Sequence, residues 1–600
     1  IQIIQVIQII QVIQMSSPSL AFEQSDSVGS SVNEFPITEQ KGSSPNEKIN
    51  DCDNSEDYAD SVQNFEKTIN LTNTTDHAGN PVNSNSSNSR NHKNSQRQEN
   101  DAYSMYPDEG LLDEEMSRVS TNMREENRSL PNESFEVTLG PNDPENISTR
   151  ISYLRKCYFT AIVSYTSVVI TILSSVWTFA APIEMERFHV GQEVATLGIT
   201  LYIVGLGFGP LFLSPISEFY GRKITFIFSL FFVLVFIIVT AFSPTLAGIF
   251  IGRFFSGFFG SAFLSVSGGV VSDIFSKEDI GIPMSVYSIS PFLGPTVGPL
   301  ISAAFVHNNE MKYAFVTLLG CTALSLFLIV FSFPETYKPI LCCQKAARLR
   351  KELKDKRYYA PLEIIRKETK FVNAVLLSSK RPLLLLAKDP MMAVLCVYTG
   401  LILGIVYMFF VAFPLIYKEK IYHFTAAETG CTYLGILVGT LLMTATSPKI
   451  QKRYGAKVQA NNNVSVPEYR FEALFYGSIL CPIGLMIFAW TTYSHVHWIG
   501  SIIGNVIFGA GASYIFAGIL GYTVDAYRLY AASAMAANSF VRSIMAGVLP
   551  LITRYMYDRM GINWASFFLA MLCVLMIPVP FLFTKYGAVL RFKSPYAWDD

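Results

Sequence analysis

Residues 224–242 read ITFIFSLFFVLVFIIVTAF, a run without a single charged side chain, flanked by Arg222-Lys223 on one side and Ser243-Pro244-Thr245 on the other. At a rise of about 1.5 Å per residue, the run matches a hydrocarbon core of roughly 30 Å. Backbone groups in that core have no water to bond, so the segment must be a helix. Outward from it, comparable runs recur at 158–181, 194–216, 247–271, 282–306, 313–333, 391–416, 427–446, 471–490, 497–520, 533–556 and 563–584, which makes twelve spans. Some contain Gly and Pro at a density that would break a soluble helix, as at Gly205, Gly207, Gly209 and Pro210, but membrane helices tolerate this. Half of the 600 residues are apolar, 13% are aromatic and mean hydropathy is +0.31, which excludes a string of soluble domains. The fold class read here is an all-α membrane protein.

The formal charge of −1 hides a division of sign. Residues 15–150 contain 25 Asp+Glu against 10 Lys+Arg, leaving 22 acidic and 36 basic residues of the totals of 47 and 46 for the rest. That stretch is rich in Ser, Asn, Asp and Glu and too poor in large apolar residues to offset the entropy of ordering, so it is expected to be a disordered acidic tail. Ahead of it, residues 1–14 (IQIIQVIQIIQVIQ) are a low-complexity repeat, read as upstream sequence with Met15 as the natural start. The connections 217–223, 334–390 and 447–470 are basic, whereas 243–246 and 491–496 hold no Lys or Arg. The basic connections therefore face the cytoplasm, as do both termini. The sequons at Asn70, Asn73 and Asn146 are then silent.

The spans divide into two sets of six, an N-terminal bundle over 151–337 and a C-terminal bundle over 391–586, joined by a basic linker, 338–390, and followed by a short cytoplasmic tail, 587–600. Ser214-Pro215 with Tyr220-Gly221-Arg222-Lys223 after span 2 is echoed by Ser447-Pro448 with Tyr454-Gly455-Ala456-Lys457 after span 8. Asp273 at the end of span 4 is matched by Asp525 at the end of span 10. These echoes favour two parallel six-helix bundles around a central cavity.

No phosphate loop, HExxH or GxSxG string occurs, so neither ATP-driven nor hydrolytic chemistry is indicated. The nine cysteines include no CxxC, and neither a metal nor an organic cofactor is expected. What remains are charges at membrane depth, which are expensive and usually functional. Arg253 in span 4, followed one turn later by Gly257, is the foremost candidate, since a guanidinium there can order carboxylates or water; snorkelling is the plainer alternative. Arg542, in Asn538-Ser-Phe-Val-Arg542 midway along span 11, could serve a substrate cavity or a structural hydrogen bond. Span 5 reads Ser290-Pro291-Phe292-Leu293-Gly294-Pro295-Thr296-Val297-Gly298-Pro299, a density of proline that suggests a bent gating helix, whereas glycine alone would suggest packing. Glu218, in the loop with Gly221, Arg222 and Lys223, could pair with cations on a neighbouring helix end. All seven histidines fall in the tail or at outer connections, so no proton carrier is assigned. Tyr202, Tyr287, Tyr398, Tyr407 and Phe410 could line a cavity for organic cations, although packing explains any one of them. Cys342-Cys343 is a possible palmitoylation pair.

Taken together, these strings resemble the fungal twelve-span drug:proton antiporters of the major facilitator superfamily, a group that includes polyamine and multidrug exporters. The resemblance covers about 141–600. Gly209-Pro210 with Ser214-Pro215-Ile-Ser217-Glu218-Phe-Tyr-Gly221-Arg222-Lys223 is similar to the family's loop signature, with Glu218 in place of the usual Asp and Phe219 in place of the usual Arg. Arg253 with Gly257 is similar to the span 4 motif implicated in proton coupling, and Gly294-Pro295-Thr-Val-Gly298-Pro299 to the span 5 antiporter signature. Pro334-Glu335-Thr336, Val524-Asp525-Ala526-Tyr527 and Ala531-Ala-Ser533-Ala-Met-Ala-Ala-Asn538 with Arg542 extend the match.

The resemblance implies the major facilitator fold and a proton-coupled antiporter driven by the proton gradient without a cofactor; the plasma membrane is the expected location, with the vacuolar membrane as the alternative. It would export polyamines or amphipathic drugs by alternating access. Arg253, Gly257, Asp273, Asp525, Asn538 and Arg542 would serve coupling and substrate contact; Pro291, Gly294, Pro295, Gly298 and Pro299 would serve gating. The expected partners are the small-molecule substrate, protons and the lipid bilayer, with no nucleic acid. The chain is expected to act as a monomer, and its Ser-rich tail suits regulatory kinases. A proton-coupled nutrient importer and a non-transporting receptor are the alternatives.

Overall fold

The computed structural model describes residues 135–597 apart from 141–142, 144–145, 276–280, 307–310, 369–370, 462–465, 528–529 and 595, so the repeat and most of the tail lie outside the described residues. Residues Pro131–Asp600 form one compact unit. Eleven helices are long and apolar enough to cross a membrane: Tyr153–Phe188, Gln192–Tyr220, Arg222–Phe242, Leu246–Ile274, Lys312–Ser332, Pro390–Lys420, Ala426–Ala460, Pro467–Thr491, Ile499–Ala526, Ala531–Met560 and Ile562–Phe592. The remaining expected span is the helix Gly281–Val306, whose apolar stretch Ile289–Phe305 is shorter. The protein is thus a multi-pass, all-helical membrane protein, and the twelve are numbered in chain order as spans 1–12.

The spans are longer than their apolar windows because polar ends continue the helices. Span 1 is two helical segments meeting at Val176, and span 7 passes Pro414 into a wider π turn, Pro414–Lys420. Burial separates central from peripheral spans. The apolar windows of spans 1 and 7 are 83% and 78% buried, those of spans 6 and 12 only 33% and 28%. Phe327, Phe331 and Leu575 accordingly face outward, as residues against lipid should.

Within the bundles, spans 1 and 5, 2 and 4, and 9 and 10 pack in pairs, while spans 2 and 11 and spans 5 and 8 join one bundle to the other. Spans 9 and 10 are drawn together by glycines seven residues apart. A Cβ at Gly484 would stand 2.4 Å from the Phe508 amide nitrogen, and one at Gly504 would stand 2.6 Å from that of Phe488. Only glycine permits so close an approach.

The linker is more structured than its composition suggests, forming the helices Lys338–Glu352, Pro361–Glu368 and Phe371–Lys388. Within the stretch 15–150 read as disordered, residues 135–138 and Asp143 dock on this linker. The Val137 amide donates to the Tyr359 carbonyl at 2.9 Å, and Val137 packs with Cys343, Ala346 and Ala360. Lys345 Nζ holds Asp143 at 2.8 Å and keeps its carboxyl below the usual range. Burial in this small core leaves Cys343 ill placed as half of an acylated pair.

Candidate functional site

Arg253 sits two turns inside span 4, a helix started by the Thr245 side chain, which accepts from the Gly248 amide. It is 1% exposed, which excludes snorkelling. Its partners among the described residues are not carboxylates. Nε donates to the Gly198 carbonyl at 2.9 Å, Nη2 to that of Ser174 at 3.1 Å and Nη1 to that of Leu173, so one cation stitches spans 1 and 2 to span 4. The Tyr202 and Trp177 rings cover the guanidinium at 4.5 and 5.3 Å from their centroids. Tyr202, expected as a wall for a foreign cation, is therefore already occupied by the protein's own. Gly257, one turn on, faces the Tyr202 carbonyl, which a Cβ would approach to 2.1 Å.

From the Arg253 partner Ser174 the path continues across the seam between bundles, since the Ser174 hydroxyl and the Tyr407 hydroxyl of span 7 lie 2.9 Å apart. Thr200 Oγ1 donates to the Gly547 carbonyl of span 11 at 2.8 Å. Ring pairs Phe292–Phe516 at 4.9 Å and Phe208–Phe540 at 5.0 Å also cross the seam. Gly205 and Gly209 of span 2 face span 4, and Gly207, on the opposite side of the same helix, faces Ser543 of span 11. On span 11, Asn538 Nδ2 donates to Thr399 Oγ1 of span 7 at 2.9 Å, leaving its buried Oδ1 without a partner. Arg542 lies over the Phe516 ring at 5.5 Å, and its buried Nε has no partner either. Tyr287 is tied to the Leu264 carbonyl at 3.0 Å, and Tyr398 and Phe410 are buried.

Span 5 is helical throughout Gly281–Val306 despite Pro291, Pro295 and Pro299. Gly294 and Gly298 are explained by span 1, whose Thr171 and Ser175 hydroxyls would lie about 2 Å from a Cβ at either position. Ser175 donates to the Gly294 carbonyl at 3.2 Å. Farther along, Pro299, Leu300 and Ala303 meet Gly430 at the start of span 8.

At the end that carries the basic connections, each bundle holds an ion pair of its own. Gly221 ends span 2 at φ 103°, a conformation that favours glycine, and lets span 3 start at once. The Arg222 and Lys223 amides, unsatisfied at that helix start, donate to the two oxygens of Glu335 at 2.9 and 3.1 Å. The Arg222 side chain reaches Asp273 at 3.3 Å and Ser217 at 2.8 Å beneath the Tyr337 ring. Glu218 forms no ion pair within 4 Å among the described residues, but Arg222 and Arg381 of the linker helix Phe371–Lys388 both act on its carboxyl. The cation missing at Phe219 is supplied by Arg366 of the linker, which lies over the Phe219 ring at 5.4 Å.

In the C-terminal bundle Asp525 accepts from Arg470 Nε and from the Tyr454 hydroxyl, both at 2.8 Å. The echo around Tyr454-Gly455 is therefore not a second tight turn. Span 8 runs on to Ala460, a Cβ at Gly455 would meet no neighbouring element within 4 Å, and Lys457 pairs with Glu472. The counterpart of Arg222 is Arg470, immediately before the helix of span 9.

Three polar residues went unassigned in the sequence reading. Glu335 and Arg470 act on partners far along the chain. Asp389 caps span 7, accepting from the Met391 and Met392 amides at 3.0 and 3.3 Å, and from the Tyr527 and Ser594 hydroxyls at 2.5 and 2.6 Å. An Asp-Pro pair at the head of an apolar run was the available signal.

Comparison with known proteins agrees with this architecture. The chain is 53% identical over 486 residues to a probable drug/proton antiporter of Saccharomyces cerevisiae, covering 81% of this chain and 94% of the yeast protein. It is 42% identical over 398 residues to the efflux pump atB of Aspergillus terreus, covering 65% and 83% of the two chains. It is 35% identical over 465 residues to the multidrug transporter mdrA of Aspergillus fumigatus, covering 77% and 76%. Among solved structures, the xylose transporter XylE from E. coli aligns at a TM-score of 0.50 and 13% identity, over 72% of this chain and 99% of XylE. A POT family transporter in complex with 5-aminolevulinic acid aligns at 0.51 and 12%, over 71% and 96%. These two likenesses concern the fold alone. The Major Facilitator Superfamily profile matches residues 158–550, and the chain belongs to that superfamily.

Proposed function

We propose that the protein exports an amphipathic organic compound from the cytosol in exchange for protons, by alternating access to the seam between its two bundles. The observation that carries this reading is the 53% identity to a probable drug/proton antiporter across 94% of that protein's length. The efflux pumps among the other relatives support it.

The geometry suits the task. Each bundle is held by its own helix pairs and its own ion pair, while the seam is formed by side chains such as Ser174, Tyr407, Thr200, Phe292 and Phe516, a division that lets two rigid bodies rock. Span 5, with its three prolines, meets span 8 at Gly430 and is the gating helix of this reading. Arg253 links the coupling region to the seam through Ser174. Asp273 and Asp525 lie in the basic ends of spans 4 and 10, where a carboxylate can exchange protons with the cytosol. In this reading the basic connections and both termini are cytoplasmic.

The test is reconstitution into vesicles with an imposed pH gradient, following fluorescent amphipathic compounds of either charge. Substrate moving opposite to protons, and stopping on addition of a protonophore, is the expected result. Movement in the same direction as protons would overturn export.

A further inference from the structure

We infer that the substrate is an amphipathic organic anion, a carboxylate, sulfonate or phenolate on an aromatic body, and that Arg542 binds its charge; the inference rests on the export reading above and names its substrate class.

Arg542 lies eleven residues from the start of span 11 at Ala531 and eighteen from its end at Met560, far from either surface. A guanidinium carries five donors and is normally well supplied with acceptors when buried. Arg542 has no hydrogen bond or ion pair among the described residues, and its Nε is buried without a partner. Its contact is the Phe516 ring, which packs on Phe292 of the opposite bundle. Asn538, one turn earlier on the same face of the helix, buries an unpartnered Oδ1. A donor group without an acceptor, an aromatic floor and a second free polar atom thus lie together at the seam.

The distribution of charge points the same way. Every described Asp and Glu of the twelve spans lies within about one helical turn of a helix end: Glu184, Glu193, Glu218, Asp273, Glu419, Glu428, Glu472, Asp525 and Asp558 are examples. Well inside the apolar runs the described charges are Arg253 and Arg542, whereas Lys449, Lys452, Arg453, Arg554 and Lys585 lie near or past the ends of theirs. Arg253 is fully engaged by three carbonyls and two rings. The middle of the protein is therefore positive with no carboxylate to receive a cation, and a polyamine entering it would meet like charge in a low dielectric. The Tyr202, Trp177 and Phe516 rings are already covered by the protein's own guanidinium groups. An anion with an apolar body instead meets both of its needs.

Full-length protein in vesicles is offered naphthalene-2-sulfonate, the (2-naphthyl)trimethylammonium ion and spermidine, all radiolabelled. Binding is measured on the solubilised protein and movement in the vesicles. The sulfonate is expected to bind and move, and the two cations to do neither. Arg542→Gln should weaken sulfonate binding by about tenfold or more, while Arg542→Lys keeps most of it. Absence of sulfonate binding, unchanged affinity in Arg542→Gln, or tighter binding of spermidine than of sulfonate overturns the inference. If Arg542→Gln does not fold, the charge preference of the natural protein and of Arg542→Lys decides. Direction scores the export reading separately. Sulfonate that binds through Arg542 but travels with protons leaves the anion site standing and overturns export. A cationic dye exported against protons without any sulfonate binding does the reverse.

Discussion

The two bundles each carry one arginine at membrane depth and use it in opposite ways. In the N-terminal bundle Arg253 donates to the carbonyls of Gly198, Leu173 and Ser174 and is 1% exposed, so it acts as part of the scaffold. In the C-terminal bundle Arg542 has a ring beneath it and no acceptor. Arg253 is buried and satisfied whereas Arg542 is half-buried and without an acceptor, and it is the one left for a ligand. The basic ends repeat the lesson more mildly. Arg222–Asp273 under Tyr337 and Arg470–Asp525 under Tyr454 are the same device, but the supporting charges are reversed. Glu335, after span 6, serves backbone amides in the first bundle; Arg591, near the end of span 12, pairs with Glu468 in the second.

The largest effect expected from this comparison is on stability. Arg253→Ala removes donors from three buried carbonyls and should cost about 3 kcal/mol or more, seen as a lower thermal midpoint and lower abundance in the membrane. Arg542→Ala removes no native hydrogen bond and should stay within about 1 kcal/mol of the natural protein while losing transport. Equal midpoints for the two variants would erase the distinction between them. A middling effect is expected at the basic ends. Asp273→Asn and Asp525→Asn each break a partly exposed pair and should cost roughly 1 kcal/mol, additively in the double variant because the sites lie in separate bundles. A coupling between them, measured in a double-mutant cycle, would mean the two ends work as one unit.

The smallest effect concerns the connection between the bundles. Lys345 holds the Asp143 carboxyl below its ordinary pKa, so the state in which Asp143 is docked binds fewer protons than the undocked one. Its contribution is full above the ordinary carboxylate pKa of about 3.9 and fades as pH falls through the lower docked value. Protease cleavage near Asp143 should therefore be as slow at pH 5 as at pH 7, and Lys345→Ala should make it faster at both.

Much of this architecture was legible in the sequence. Apolar runs such as 224–242 announced the helices, and Gly221 announced a turn that the chain does make. The echo at Gly455 misled because hydropathy ends at the membrane surface while a helix of Ala456, Lys457 and Gln459 does not. Arg253 was visible as a charge out of place, but whether it bonds to carbonyls or to a substrate depends on spans 1 and 2, which no local pattern reveals. Glu335 and Arg470 were hidden for the same reason, since their partners lie 113 and 55 residues away along the chain.

The glycine contact between spans 9 and 10 has a mechanical consequence. Helices whose backbones touch cannot slide past one another, so the pair behaves as a plank. Arg470 stands where span 9 begins and Asp525 near where span 10 ends, both at the same end of that plank. Their ion pair is then a rivet through one board rather than a clasp between two, and it stays closed through every swing of the lever.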